Sequence, residues 1–95
     1  MNARVTRFEG SPSDLDKGIK LIKDTIMPSA KKMSGFKNGY WFIDRASGKG
    51  MAVTLFDNEA SMRGSETAAE ESRAQATQAG FRMIGVERYE VVAQT

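Results

Sequence analysis

The sequence predicts an α+β domain whose four-stranded antiparallel sheet carries both helices on one face. Three observations lead there. Strand-like and helix-like stretches alternate as β-α-β-β-α-β over 95 residues. The middle pair is a hairpin, with Gly39-Tyr-Trp-Phe-Ile-Asp44 and Gly50-Met-Ala-Val-Thr-Leu-Phe56 flanking Arg45-Ala-Ser-Gly-Lys49. That hairpin is apolar on both faces, whereas a half-buried strand alternates apolar with polar residues. Two helices shelter one face of such a sheet and no more. The second face needs other cover, and a second copy of the chain is the simplest source, so a homodimer is expected.

Arg4 to Glu9 is the first strand, with Val5 and Arg7 on one side and Thr6 and Phe8 on the other. Gly10 ends it. Ser11 is placed to cap a helix, Pro12 sits where a missing N–H costs nothing, and Asp14 follows three residues after the cap. Leu15, Ile19, Ile22 and Ile26 then form one apolar stripe. Pro28 predicts a kink or stop near Ile26-Met27, followed by a last turn carrying Ala30 and Met33 and an exit at Ser34-Gly35.

In the hairpin, Ala46-Ser47-Gly48 suits a three-residue loop with Gly48 in the left-handed region. Ile43 would then face Met51 and Trp41 would face Val53. One face would carry Trp41, Ile43, Met51, Val53 and Leu55, and the other Tyr40, Phe42, Ala52, Thr54 and Phe56. A loop one residue longer exchanges the partners and leaves both faces apolar.

Asp57-Asn58 closes the hairpin and can cap the second helix. The apolar face of that helix is built of small residues, Ala60, Ala68, Ala69, Ala76 and Ala79, with Met62 the one large side chain. Gly64-Ser65 predicts a break with Ser65 capping a second segment, and Gly80 suits the C-terminal stop. Arg82 to Val92 is the last strand, and Glu87, Arg88 and Glu90 mark it as an edge blunted by charge.

Bulk properties narrow the chemistry. One domain over residues 1–95 is expected. The chain has no cysteine and no histidine. Disulfides, thiolate nucleophiles, zinc–thiolate sites, histidine bases and axial histidine ligands to haem are all excluded. No metal and no cofactor is expected. The net charge of +2 is too small to make a polyanion surface the main partner. No apolar run is long enough for a membrane span and no signal-peptide core is present, so no membrane partner and a cytoplasmic location are expected.

With those features on the page, the chain resembles the dimeric α/β-barrel superfamily, and within it the small antibiotic-biosynthesis-monooxygenase-like domains. The resemblance rests on Gly35-Phe36 leading into an aromatic strand, the Asp44-Arg-Ala-Ser-Gly-Lys-Gly50 turn, Thr54-Leu-Phe-Asp57 leading into a helix, and the closing Val86-Glu-Arg-Tyr-Glu-Val91. It implies ferredoxin-like subunits packed sheet to sheet. Members include cofactor-independent oxygenases of aromatic polyketides, haem-degrading enzymes, isomerases and proteins without known activity. The Asn–Trp–His pattern of haem-degrading members does not carry over, since histidine is absent and Asn38 and Trp41 point to opposite faces of one strand.

The resemblance implies a small apolar or aromatic ligand, with a cofactor-independent monooxygenase as the concrete version. A non-catalytic ligand-binding or stress-linked dimer is the alternative. Arg7, Asn38, Tyr40 and Trp41 are the candidate ligand-binding residues, being the Arg, Asn, Tyr and Trp types that such oxygenases place around a phenol. Each also has a plainer reading: Trp41 as core or interface, Tyr40 as a dimer contact, and Arg7 as a strand-end ion pair with Glu9, Glu87 or Glu90. The same element order builds RNA-recognition modules. Here the base-stacking positions hold Met51 and Val53, and the first strand offers Thr6, so nucleic acid is not an expected partner.

Overall fold

A computed structural model describes all residues, Met1–Thr95. The strands are β1 (Asn2–Glu9), β2 (Phe36–Ile43), β3 (Lys49–Phe56) and β4 (Arg82–Glu90). The helices are α1 (Leu15–Leu21), α2 (Met27–Lys31), α3 (Glu59–Gly64) and α4 (Glu66–Gln78), with a 3-10 turn at Pro12–Asp14 and a π turn at Ile22–Ile26. The sheet order is β2-β3-β1-β4 and each neighbouring pair is antiparallel. The central strands β3 and β1 are flanked on both sides, and charge-rich β4 lies at an edge, where unpaired backbone groups are guarded by Glu87, Arg88 and Glu90.

The hairpin register differs from the three-residue-loop expectation. Ile43 pairs with Gly50, Trp41 with Ala52 and Tyr40 with Val53. The loop is one residue longer because Asp44 organises it: its carboxylate accepts from Ala46 N at 3.1 Å and from Ser47 Oγ at 2.9 Å, and Gly48 N donates to Asp44 O at 2.8 Å. Gly48 has φ +80°, and any side chain there would collide with the Gly10 carbonyl that packs on the loop. The exchange puts Trp41 and Ile43 with Ala52, Thr54 and Phe56 under the helices. Tyr40 and Phe42 join Met51, Val53 and Leu55 on the other face. Both faces remain apolar.

The first helical run passes Pro28 without stopping. Pro28 cannot donate and its ring crowds the carbonyl four residues back, and the chain relieves this by widening one turn upstream. Met27 N bonds to Ile22 O across that wide turn. Ser11 does not cap with its side chain: Asp14 N already bonds to the Ser11 carbonyl at 2.9 Å in a tight first turn. The second run breaks at Gly64-Ser65 as expected, and Asn58 Oδ1 caps α3 by accepting from Ser61 N at 2.9 Å. Ser65 does not cap α4, because its φ −90°, ψ −1° is helical rather than extended. Gly80, at φ +101°, ends α4, with Phe81 N bonding to Ala76 O at 3.0 Å.

Leu15, Ile22 and Ile26 bury the stripe of the first helical run against Phe8, Ala76 and Phe81. Phe81, which lies before β4, meets Phe8 edge-on at 4.9 Å, and the bare Gly18 makes room for its ring. The opposite face of the sheet carries half-exposed Tyr40, Phe42 and Tyr89 with nothing packed on it.

Candidate functional site

The helix-facing positions of β1 and β3 read Arg4, Thr6, Phe8 and Gly50, Ala52, Thr54, Phe56, and the register sets Thr6 opposite Ala52. Small side chains therefore sit in the middle of the sheet. Above them, α4 presents Ala69, Ser72 and Ala76. Large residues at either end, Phe8 and Phe81 on one side and Phe56 and Met62 on the other, are buried and hold the layers apart. Small facing small between these pillars leaves a cavity, which Ile22, Ile26, Ala30, Met33, Trp41 and Met83 close off around its sides. Its volume is about 70 Å³, and its mouth is open to solvent. Apolar walls with a few convergent polar groups are the usual composition of a small-molecule site.

The polar groups gather at the Arg4 end. Arg4 is an arginine in the inward phase of β1, and its side chain is 3% exposed. Its Nη2 donates to Met62 O at 2.8 Å, Ser65 Oγ at 2.8 Å and Glu66 Oε1 at 3.0 Å, and its guanidinium lies 5.4 Å from the centre of the Phe56 ring. Ser65 Oγ, freed from capping, donates to Met62 O at 2.7 Å. Arg88 grips both oxygens of Glu66 at 2.8 Å.

The charges follow from these contacts. Glu66 is lowered to about 2, chiefly by the Arg88 hydrogen bonds, then by Arg4, against the opposing effect of burial. Burial pulls the Arg4 guanidinium below its ordinary value. Glu66 opposes that shift, and Arg73 and Arg88 add to it by like-charge repulsion. An arginine remains protonated throughout. Arg4 Nε and Arg73 Nη1 are buried without a hydrogen-bond partner, and both residues border the cavity.

Of the four residues singled out in the sequence, the structure brings Trp41 to the cavity wall. Tyr40 lies on the open face, stacked on Phe42 at 6.1 Å. Asn38 is exposed and shares the Leu55 register position on that face. Arg7 is also there, with Nε donating to Glu87 Oε1 at 2.8 Å, the ion pair of its plainer reading. Tyr89 OH donates to the other Glu87 oxygen at 2.6 Å, which lowers the Glu87 carboxyl and raises the Tyr89 phenol. The four residues do not converge.

Sequence reasoning passed over Arg4, Thr6, Ser72 and Arg73. Two signals were there to be read. Arg4 shares strand phase with Thr6 and Phe8, and Arg73 lies four residues after Ala69 and three before Ala76, on the face that packs inward.

Comparison with solved structures gives the fold a name. A protein of Deinococcus radiodurans classed with the antibiotic biosynthesis monooxygenases aligns over 100% of this chain and 96% of its own, with TM-score 0.80 and 12% identity. The fold is that of the antibiotic-biosynthesis-monooxygenase-like proteins. Two more structures with this fold are similar. The ActVA-Orf6 monooxygenase of Streptomyces coelicolor, solved with nanaomycin D, has TM-score 0.72 and 14% identity, covering 99% of this chain and 90% of that one. A dimeric ferredoxin-like protein from an uncultured marine organism has TM-score 0.75 and 10% identity, covering 100% of this chain and 98% of that one. No family model matches the sequence. In sequence, the uncharacterized protein Rv2558 of Mycobacterium tuberculosis is 32% identical over 63 residues, 66% of this chain. The chain spans 27% of the length of that relative. No helix of the chain is long and apolar enough to cross a membrane.

Proposed function

We propose that the cavity between helices and sheet binds a small, flat, apolar or aromatic molecule and supports its cofactor-independent monooxygenation. The cavity is the observation that carries this reading. Its walls are largely aromatic and aliphatic, one tryptophan and two phenylalanines face it, and its charged lining residues are Arg4 and Arg73. The S. coelicolor monooxygenase of the same fold and the S. nogalater cofactor-independent oxygenase SnoaB (TM-score 0.69, 14% identity) support the choice of chemistry.

In such a reaction the substrate supplies the electrons. A phenolate carbanion form reduces dioxygen, a ring C–H becomes C=O, and the phenol becomes the second carbonyl of a quinone. One oxygen atom enters the product and the other leaves as water. The protein contributes desolvation, orientation of the ring and a hydrogen-bond donor at the developing oxyanion. Thr6, Thr54 and Ser72 line the cavity and carry the hydroxyl donors for that task. Tyr40, Asn38 and Arg7 have no place in this site.

Oxygen uptake across a panel of phenols and naphthols tests the reading. The wild-type protein is expected to consume one dioxygen per quinone formed, and a Trp41→Ala variant to lose at least about tenfold in kcat/KM through lost ring positioning. Ligand binding without uptake across the panel retires the oxygenase reading and leaves a binding protein.

The open face is the second part of the proposal. Tyr40, Phe42, Met51, Val53 and Leu55 form a continuous apolar surface, and we propose that a second copy covers it, sheet against sheet. The dimeric marine protein of the same fold supports this arrangement.

A further inference from the structure

The Arg4 end of the cavity holds more positive charge than its own contacts neutralise. Arg73 and Arg88 both repel Arg4 there, and Glu66 is the one carboxylate that acts on it. Three positive charges against one negative leave an excess of two. Glu66 already accepts three hydrogen bonds, since Arg88 takes both of its oxygens and Arg4 takes one as well. Arg73 makes no ion pair. The helix geometry tilts its side chain toward the N-terminus of α4, where Glu66 lies.

Two buried nitrogens are left over, Arg4 Nε and Arg73 Nη1. A buried charged donor without an acceptor is strongly disfavoured, and native structures rarely leave one. The Arg4 side chain is 97% buried by complement of its 3% exposure, so bulk water does not supply the acceptor. We propose that Arg4 and Arg73 form a carboxylate-binding end of the cavity, and that the ligand is an apolar or aromatic molecule bearing one carboxylate.

The donor set selects this group. Two donors on separate side chains suit two acceptor oxygens on one planar anion. A phenol is neutral near pH 7, because its ordinary value is about 10, and would bring no countercharge. The inference rests on the cavity being the ligand site, as proposed above, and adds the charge that the ligand must carry.

Titration calorimetry at neutral pH with 2-naphthoate, its neutral isostere 2-naphthamide, and 2-naphthol separates the two ideas. Naphthoate is expected to bind at least about tenfold more tightly than naphthamide, the scale of a charge-assisted hydrogen bond. An Arg73→Gln variant is expected to lose about that factor for naphthoate while its naphthamide affinity stays within about twofold. Arg73→Lys should recover part of the preference. Arg4 is unsuitable for the test, since three hydrogen bonds to α3 and α4 depend on it. Equal binding of naphthoate and naphthamide overturns the carboxylate end and leaves the cavity reading standing, as does a naphthoate preference that survives in Arg73→Gln. Tighter binding of naphthol than of naphthoate also overturns it. Binding of none of the three overturns both readings.

Discussion

Arg4 is the residue that links the fold to the site. A charged side chain in the inward phase of a central strand would ordinarily destabilise the sheet, and here three acceptors from the α3–α4 junction and the Phe56 ring offset its burial. Glu66 is the one charged acceptor, so stability should depend on its ionisation. Its value falls from 4.5 in the unfolded chain to about 2 in the fold. Its contribution is therefore complete above pH 4.5 and fades as pH falls toward about 2. A Glu66→Gln variant should melt lower at neutral pH, by roughly 1–3 kcal/mol of lost charged hydrogen bonding. The gap from wild type should close between pH 4.5 and about 2, as followed by circular dichroism. A gap that stays constant across that range would show that folding does not lower the Glu66 carboxyl. Nothing local in the sequence marks Glu66, because its partners come from strands near both ends of the chain.

At the scale of the elements, two small local features decide where side chains go. The Asp44 loop shifts the hairpin register by one, and with it the choice of which aromatic faces the cavity: Trp41 rather than Tyr40. A loop length could not be read from Arg45-Ala-Ser-Gly-Lys49, which fits either count. The α3–α4 break is the second feature. Because the chain bends at Gly64-Ser65, the Met62 carbonyl and Ser65 hydroxyl turn toward Arg4. Asn58 anchors that junction from the other side. Asn58→Ala should cost about 1 kcal/mol in urea denaturation, with Asn58→Asp retaining most of the stability. A neutral Asn58→Ala would show that packing on Met62, not the cap, sets the start of α3.

Across the whole molecule, the sheet is loaded on both faces and covered on one. Phe42 and Tyr40 are 48% and 54% exposed, a poor resting state for rings of that size in water. In a two-fold dimer each substitution acts twice, so Phe42→Glu should weaken association at least about hundredfold. Sedimentation at micromolar concentration should show dimer for the wild type and monomer for the variant, with the helix–sheet cavity still competent to bind. A wild-type monomer at that concentration would remove the second copy from the proposal. Element order, the edge position of β4, the apolar stripe from Leu15 to Ile26 and the two-sided hairpin were all legible in the sequence, since they rest on local periodicity and turn chemistry. The cavity was half legible: the alanines of α4 were visible as a face of small residues. Phe8, Phe56, Met62 and Phe81 turn that small-residue face into empty space, and they come from four separate elements. Periodicity along one chain segment tells which residues face inward, and by itself it determined this architecture and its need for cover. Which inward residues meet, whether they fill or leave a void, and that two arginine nitrogens end there without partners were decided only by tertiary structure, because contact across layers depends on distances that no single segment encodes.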